Sequence, residues 1–196
     1  MAKIKALDKN GRKGIIAKKA AHLFRKKGYP NASMRELAES LQIEAPSLYN
    51  HFTSKGEILE MICAGVASGY VKNINEIAGS TKSYALQLES LIRYHIRIMI
   101  SEFDEQYVAG HEWKHLPPTA FKSYLEERKN YEKKMTSIIE AGIKRNEFVK
   151  VDAGVAVLTI LSAVRGLESW HRNKKSVSGT ILENDMTKML LNGIIK

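Results

Sequence analysis

Apolar residues recur every three or four positions along almost the whole chain, and this spacing is typical of one face of an α-helix. No stretch of useful length alternates apolar and polar residues as a β-strand does, and no internal repeat appears. The spacing predicts nine helices, at about 11–27, 33–41, 45–51, 54–78, 82–101, 104–115, 118–145, 153–170 and 180–194. The predicted fold class is therefore all-α.

Residues 33–55 predict two short helices joined by a tight turn. Ser33 and Glu36 have the spacing of a capping box, in which the hydroxyl accepts a backbone N–H bond and the carboxylate reaches back. In the second helix Leu48 and Phe52 are four residues apart, so both point toward the same inner side. The outer side is left for Ser47, Tyr49, Asn50 and His51. A short helix with such an outer face is typical of a helix-turn-helix, whose second helix enters a groove of DNA.

Positive charge is concentrated in the same part of the chain. Residues 1–55 hold 12 Lys or Arg against 4 Asp or Glu, whereas the other 141 residues hold 19 against 17. Because DNA phosphates attract a basic surface, this distribution supports a nucleic-acid partner; a basic surface that only improves solubility is the alternative. Residues 1–10 form a predicted basic arm, in which Lys3, Lys5 and Lys9 are candidates for contact with phosphates or the minor groove.

The sequence resembles the amino-terminal region of the TetR family of bacterial transcriptional regulators, most clearly in the segment LYNHFTSKGEIL at 48–59. The residues that carry the resemblance are Ile16, Ala20, Ala21, Phe24, Gly28, Tyr29, Ser33, Ile43, Leu48, Tyr49, His51, Phe52, Lys55, Ile58 and Leu59. The chain departs from the family pattern at Gln42, Glu44 and Pro46, where Gly, Ser and Gly are common. The resemblance implies an amino-terminal helix-turn-helix domain of three helices, here 1–53. It also implies a larger helical-bundle domain for effector binding and dimerisation, here 54–196.

A TetR-like architecture implies a dimeric regulator, most often a repressor, that binds a palindromic operator and is released by a small effector. Polar side chains and helix starts bind phosphate oxygens, so phosphate contacts are predicted for Ser33, Tyr49, His51 and Lys55. Contacts with base edges are predicted for Arg35, Ala45, Pro46, Ser47 and Asn50. Asparagine can bind adenine through two hydrogen bonds, and the small apolar residues can contact a thymine methyl group.

The helices of the larger domain carry polar and aromatic residues among apolar ones, which is typical of ligand sites. The segments HEWKHLPP at 111–118 and WHR at 170–172 resemble the carboxy-terminal domain of TetR members that sense acyl-CoA thioesters. The predicted effector pocket contains His95, Met99, Phe103, Tyr107, His111, Trp113, Arg128, Tyr131 and Trp170; packing in the core is the alternative for each. Arg165, Arg172 and the pair Lys174–Lys175 are candidates for contact with CoA phosphates, with a solvated helix end as the alternative.

The two carboxy-terminal helices predict a homodimer interface. Residues 153–170 are apolar around most of the helix, and 180–194 add Ile181, Leu182, Met186, Met189, Leu190 and Ile194. A chain of 196 residues can hardly bury both helices in its own core, although an internal position for both is the alternative. Small residues would let the helices of two copies approach closely: Gly154, Ala156, Ser162, Ala163 and Gly166. The resemblance to TetR regulators implies dimerisation through the same two helices.

A different class of function is suggested by His111, Glu112 and His115, which match the H-E-x-x-H pattern of zinc proteases. Pro117 follows two residues later and ends the supporting helix, and no phosphate-binding glycine loop or G-x-S-x-G turn is present. We therefore predict no enzyme, no metal site and no cofactor, with a zinc hydrolase as the alternative. A second alternative is a module that binds nucleic acid without sequence preference or effector.

Cysteine content and apolar runs bear on location. Cys63 is the single cysteine, which fits a reducing cytoplasm, and its apolar neighbours predict a buried structural thiol. No uncharged run reaches 18 residues, and no signal peptide is recognisable, so no membrane span is predicted. We expect a cytoplasmic, nucleoid-associated protein whose partners are double-stranded DNA, a small effector and a second copy of the chain.

Overall fold

The chain folds into helices and the turns between them. The computed structural model describes residues 11–173 and 177–195, so the basic arm at 1–10 and the pair Lys174–Lys175 lie outside the described residues. The α-helices are α1 (Arg12–Lys27), α2 (Met34–Ser40), α3 (Ala45–Tyr49), α4 (Lys55–Ala78), α5 (Tyr84–Ser101), α6 (Phe103–His111), α7 (Pro118–Lys144), α8 (Ala153–Arg165), α9 (Leu167–Arg172) and α10 (Gly179–Asn192). A short 3₁₀ helix, Trp113–His115, lies between α6 and α7. The all-α prediction is confirmed, since within the described ranges extended pairing is limited to one isolated bridge between Phe148 and Ile195.

The amino-terminal helices begin and end where the sequence places caps. The predicted capping box is present at the start of α2: the backbone N–H of Glu36 donates to Ser33 Oγ at 3.2 Å, and that of Ser33 donates to Glu36 Oε2 at 3.1 Å. Gly28 ends α1 with φ 79°, a conformation that glycine adopts without strain. In the turn between α2 and α3, Gln42 has φ 57°, which costs energy for a residue with a side chain.

The helices form two compact units. Among the described residues, unit 1 comprises those up to Ser68 together with Asp104–Leu125, and unit 2 comprises Gly69–Phe103 and those from Glu126 onward. Unit 1 therefore contains α1–α3 and most of α4, and also α6, the 3₁₀ helix and the start of α7. The division into functional domains at residue 53 stays a prediction.

The core of unit 1 joins the amino-terminal helices to α6 and α7. The predicted stripe of α1 is buried, as are Leu48 and Phe52 at the inner side of α3. Val108 and Leu116 belong to the same core, so the segment 104–125 is packed with the helix-turn-helix rather than separately. Cys63 lies in this core, and burial raises the pKa of its thiol to about 12. The prediction of a buried structural thiol agrees with this position.

The core of unit 2 is organised around α5, which contacts α8, α9 and α10. Its fully buried residues come from four segments: Ile74, Leu88, Leu91, Ile92, Ile96, Met135, Ile139 and Phe148. Glu147 accepts a hydrogen bond from the backbone N–H of Ala85 at 2.9 Å, so the turn after α7 stabilises the first turn of α5. The backbone N–H of Val149 donates to the carbonyl of Ile194, which attaches the carboxy-terminal end of the chain to this turn.

The structure corrects two predicted helices. The helix expected at 153–170 is interrupted at Gly166, a residue of low helix propensity, and continues as α9. The helix expected at 104–115 ends at His111 and continues as the 3₁₀ helix. Within the described ranges, Ala153–Arg172 is the one helical stretch that is long and apolar enough to cross a membrane by length and composition, although Gly166 divides it into two helices. Of its most apolar part 22% is buried inside the chain: Val157, Ile160 and Val164 lie in the core, whereas Val155 and Leu158 are exposed.

Candidate DNA-binding and effector sites

The outer face of α3 is exposed in the way a reading helix requires. Leu48 and Phe52 anchor the helix in the core with 0% and 1% exposure, and this fixes the opposite face toward solvent. On that face Tyr49 is 51% exposed, and Pro46 and Asn50 are exposed as well. The remaining α3 candidates, Ala45, Ser47 and His51, are half-buried. The six predicted DNA contacts between residues 45 and 51 therefore share one short surface segment.

The two predicted contacts on and next to α2 are engaged within the protein. The Ser33 hydroxyl accepts from Glu36 N and also donates to Glu36 Oε2 at 3.0 Å. Arg35 is exposed and forms an ion pair with Glu39 at 3.1 Å, one turn along the helix. Exposed pairs of this kind contribute little stability, so Arg35 can exchange Glu39 for a base or a phosphate at small cost. Ser33, by contrast, has to keep its capping bonds if α2 is to start where it does.

Lys55, for which a phosphate contact is predicted, is bonded within the protein. Its ammonium group donates to the backbone carbonyls of Tyr29, Pro30 and Ala32, each at 3.0 Å, and lies 4.7 Å from the ring centroid of Tyr29. An ammonium group has three N–H donors, and all three point into the domain. The structure therefore gives Lys55 the role of holding the α1–α2 loop against the first turn of α4, and a phosphate contact would require these bonds to break.

The segment with the H-E-x-x-H pattern is tied into unit 1 by ring contacts. The His115 ring stacks on Tyr29 with centroids 5.3 Å apart, and the His111 ring packs against Tyr107 at 4.4 Å. Because α6 ends at His111, the two histidines do not share one face of a continuous α-helix as zinc ligands of this pattern do. Over residues 11–173 and 177–195, no group of three or more His, Cys, Asp or Glu side chains is placed to hold a metal ion.

α6 is also attached to α1 through Asp104, the first residue of its segment in unit 1. Asp104 accepts a short hydrogen bond from Arg25 Nε, and its second carboxylate oxygen lies 2.9 Å from His22 Nδ1. The start of α6 is thus fixed to the helix that supports the helix-turn-helix. Sequence reasoning missed this connection, because the partners are about 80 residues apart and each alone is an ordinary charged residue.

The nine predicted effector-pocket residues are divided between the two units. Tyr107, His111 and Trp113 belong to unit 1, where Trp113 packs against Phe121 with ring centroids 5.3 Å apart. The other six belong to unit 2. Of these, Met99 and Tyr131 lie in its buried core, His95 is buried as well, and Phe103 and Trp170 pack against that core. The half-buried Arg128 precedes Tyr131 by one turn of α7.

Two ring clusters give the unit 2 candidates their geometry. His95 Nε2 lies 2.7 Å from Tyr131 Oη, and the Tyr70 ring lies 4.6 Å from that of His95. Burial lowers the pKa of His95 to about 3, so its ring is neutral at physiological pH. In the second cluster Phe103 stacks on His171 at 3.7 Å, and Trp170 meets His171 edge-on at 4.9 Å.

Tyr70 and His171 belong to these clusters but were absent from the predicted site. The spacing Ile62, Val66, Tyr70 and Ile74 marks Tyr70 as part of the inner stripe of α4 and was sufficient to find it. His171 is the middle residue of the WHR segment, and its Nε2 lies 2.7 Å from the carbonyl oxygen of Met99.

α8 and α10 each present apolar side chains to solvent. Val155 and Leu158 on α8 are 60% and 61% exposed, and Ile181 and Met189 on α10 are 53% and 77% exposed. Single exposed apolar residues are normal on a protein surface. Here four exposed apolar residues lie on two helices, and other residues of the same helices are buried on the opposite side. This arrangement indicates faces that a partner covers.

Comparisons with known proteins agree with this architecture. Residues 16–62 match the family model of the tetR family of bacterial regulatory proteins, and residues 81–194 match that of the Tetracyclin repressor-like C-terminal domain. The chain belongs to the TetR family. It is thus a DNA-binding transcriptional regulator with an amino-terminal helix-turn-helix, as the sequence predicted.

Three proteins similar to this TetR regulator match over nearly their whole length. The HTH-type transcriptional repressor KstR2 of Rhodococcus jostii is 24% identical over 188 residues, which cover 95% of this chain and 92% of the relative. The structure of the ketosteroid transcriptional regulator KstR2 of Mycobacterium tuberculosis has a TM-score of 0.87 at 22% identity, with 95% and 96% of the two chains covered. The structure of AibR in complex with isovaleryl coenzyme A and operator DNA has a TM-score of 0.80 at 19% identity, with 92% and 98% covered.

Proposed function

We propose that this TetR regulator is a repressor that binds a palindromic operator as a homodimer and leaves it when an acyl-CoA binds to the larger domain. The observation that carries the DNA-binding part is the exposed outer face of α3, opposite the buried Leu48 and Phe52. This short face offers an amide, a phenol, an imidazole and small apolar groups within seven residues. Such a set can contact both base edges and phosphates in a major groove.

Among the predicted DNA contacts on α2 and α3 we assign two roles. Asn50, with Arg35, Ala45, Pro46 and Ser47, contacts base edges, and Tyr49 and His51 contact phosphates. Ser33 fixes the start of α2 through its capping bonds, and a phosphate contacts the protein at this helix start. Lys55 positions the α1–α2 loop. This division separates residues that choose the sequence from residues that provide affinity for any duplex.

The acyl-CoA effector is supported by the resemblance of the HEWKHLPP and WHR segments and by the structural neighbour AibR, which was solved in complex with isovaleryl coenzyme A and operator DNA. The aromatic clusters of unit 2 supply apolar surface for an acyl group. Arg165 and Arg172, both exposed at helix ends, are the described candidates for the phosphates of CoA. A ligand releases DNA only if it binds the two conformations of the regulator unequally.

The dimer is supported by the exposed apolar faces of α8 and α10. Two copies would bring together two reading helices, with half-sites one helical turn or roughly 34–36 Å apart. A single reading helix contacts too few base pairs to select one site in a genome. We place the protein in the cytoplasm, associated with the nucleoid through its operator.

The experiment selects duplexes from a random pool and then measures binding of the selected sequence by gel shift. We expect a palindrome, and we expect Asn50→Ala to lose discrimination between that palindrome and random duplex. Tyr49→Phe is the matched variant, which should weaken both duplexes alike. Selection of no sequence, or identical behaviour of the two variants, contradicts the proposal and favours the non-specific module.

The effector is tested on the same complex. A panel of acyl-CoA thioesters from isovaleryl to long-chain should include one that releases the operator at a concentration at which free CoA has no effect. Release by an unrelated small molecule, with no response to any thioester, rejects the acyl-CoA and leaves the regulator assignment intact.

A further inference from the structure

A buried cluster in unit 2 combines aromatic rings with a hydrogen-bonded pair. His95 of α5 and Tyr131 of α7 are 5% and 7% exposed, and the His95 Nε2 to Tyr131 Oη distance is 2.7 Å. The Tyr70 ring of α4 lies 4.6 Å from the His95 ring and 5.4 Å from the Tyr131 ring. Three helices thus place one imidazole and two phenols in a mostly apolar core.

The hydrogen bond between His95 and Tyr131 determines which ring nitrogen of His95 carries the proton. A phenol donates hydrogen bonds better than it accepts them, and the unprotonated nitrogen of a neutral imidazole is a good acceptor. Tyr131 O–H therefore donates to His95 Nε2, and the single ring proton lies on Nδ1. This Nδ1–H donor has no hydrogen-bond partner among the residues that the structure describes.

A second buried polar atom, on α4, is also unpaired. Asn73 Oδ1 is fully buried and has no hydrogen-bond partner in the described part of the chain. Asn73 follows Tyr70 by three residues on α4, so both side chains lie on the same face of that helix. Buried polar groups without partners are rare and cost stability. A bound molecule that offers an acceptor would satisfy the His95 Nδ1–H, whereas Asn73 Oδ1 would need a donor.

We propose that the Nδ1–H of His95, oriented by Tyr131, binds a neutral carbonyl oxygen on the apolar part of the effector. The inference rests on the proposed binding of an effector by unit 2 but not on its being a thioester of CoA. Because burial keeps His95 neutral, the imidazole offers a hydrogen bond without a charge. A ketone on a hydrocarbon skeleton matches this donor and the surrounding rings.

The test uses two small probes, acetophenone and ethylbenzene, which share a benzene ring and differ by the carbonyl group. Binding to the full-length dimer is followed by the imidazole nitrogen resonances of histidine-labelled protein, and the His95 signals are assigned by their loss in His95→Phe. We expect acetophenone to shift the His95 Nδ1 resonance and to bind about three- to tenfold more tightly than ethylbenzene, as one neutral hydrogen bond allows. Sub-millimolar affinity is within reach of ligands of this size.

Two variants separate the hydrogen bond from the packing. Tyr131→Phe keeps the ring but removes the hydroxyl that orients His95, so the preference for acetophenone should fall below about twofold. Tyr84→Phe is the control, since Tyr84 packs against the same core and should keep the preference of the original protein. Equal affinity for the two probes, binding of neither, or an unchanged preference in Tyr131→Phe overturns the inference.

The outcomes also distinguish this inference from the proposed function. If the ketone preference depends on Tyr131 but no acyl-CoA releases the operator, the CoA effector is wrong and the His95 site stands. If an acyl-CoA releases the operator but the probes show no ketone preference, the His95 site is wrong and the proposed function stands.

Discussion

The ammonium group of Lys55 lies 4.7 Å from the ring centroid of Tyr29 and donates to the Tyr29 carbonyl at 3.0 Å. Two further carbonyls of the same loop, those of Pro30 and Ala32, complete its donor set. The loop begins at Gly28, where α1 ends, and leads into the capping box of α2. One side chain at the first turn of α4 therefore controls how the helix-turn-helix is held on its supporting helix.

We expect Lys55→Met to lower the stability of the protein by about 1–3 kcal/mol, because three backbone carbonyls, two of them part-buried, lose a charged donor while the aliphatic stem is kept. The measurement is the midpoint of urea unfolding. Lys19→Met is the control, since Lys19 is exposed and forms no ion pair or hydrogen bond within the described residues.

DNA binding by the same variant separates the two roles of Lys55. A phosphate contact would make the dependence of log affinity on log salt shallower by roughly one unit. We expect an unchanged slope and a weaker affinity for every duplex. A shallower slope with normal unfolding would restore the phosphate contact that the sequence predicted.

Gly142 and Phe148 provide a test of the turn after α7. A Cβ on Gly142 would lie 2.2 Å from the Phe148 ring, which is fully buried and has no space to move away. We expect Gly142→Ala to lower the stability by about 1–3 kcal/mol through overpacking, as measured by thermal unfolding. Gly110→Ala is the matched control: nothing lies within 4 Å of its Cβ position on α6, so the substitution should stabilise by up to about 1 kcal/mol. Equal effects of the two substitutions would contradict the packing at Gly142.

The buried imidazole of His95 predicts a pH dependence of stability. Its pKa in the folded protein is lowered from 6.5 to about 3, so between these values the unfolded chain binds a proton that the folded chain does not. Stability should therefore fall as the pH falls below 6.5, by at most about 1.4 kcal/mol per pH unit from this group. His95→Phe should show a shallower loss between pH 6.5 and 5 than the original protein in urea unfolding. Parallel curves for His95→Phe and the original protein would show that His95 is accessible to protons when folded.

The helix-turn-helix could be predicted because its signals are local. Ser33 and Glu36 are three residues apart, and Leu48 and Phe52 are four apart, so spacing alone places each pair on one face or in one cap. The roles of Lys55 and His95 depend instead on partners 26 and 36 residues away. Sequence spacing identifies such residues as polar groups in apolar surroundings but does not identify the atoms that they contact.

Gln42 illustrates a local signal of a different kind. The family pattern often has Gly at this position, and the structure shows why: the turn requires φ 57°, in the region that favours glycine. The departure from the pattern was visible in the sequence, whereas the backbone angle was not. The break at Gly166 is similar, because helix periodicity continues through it and only the backbone shows the end of α8.

The proposed dimer makes the most demanding prediction, and the structure changes which residues should be substituted. Leu161 and Leu190 are natural choices from the sequence, but both pack against the core of unit 2, so a charge there would unfold the chain rather than separate two copies. Leu158 and Met189 point to solvent with 61% and 77% exposure. We therefore expect Leu158→Glu to give a folded monomer, because the Leu158 side chain is not part of the core. Its midpoint of thermal unfolding should equal that of the unsubstituted protein or lie slightly below it.

Sedimentation velocity at micromolar concentration measures whether the protein is a dimer, and gel shift with the selected palindrome measures its affinity for the operator. Leu86→Glu is the control, since Leu86 on α5 is 51% exposed and lies outside α8 and α10. It should remain dimeric and bind the operator normally. Because a monomer contacts one half-site, Leu158→Glu should lose most of the affinity for the palindrome while keeping the weak, salt-dependent affinity for random duplex. A Leu158→Glu protein that stays dimeric, or an original protein that sediments as a monomer and still binds the palindrome tightly, would show that α8 and α10 do not form the interface on which operator recognition depends.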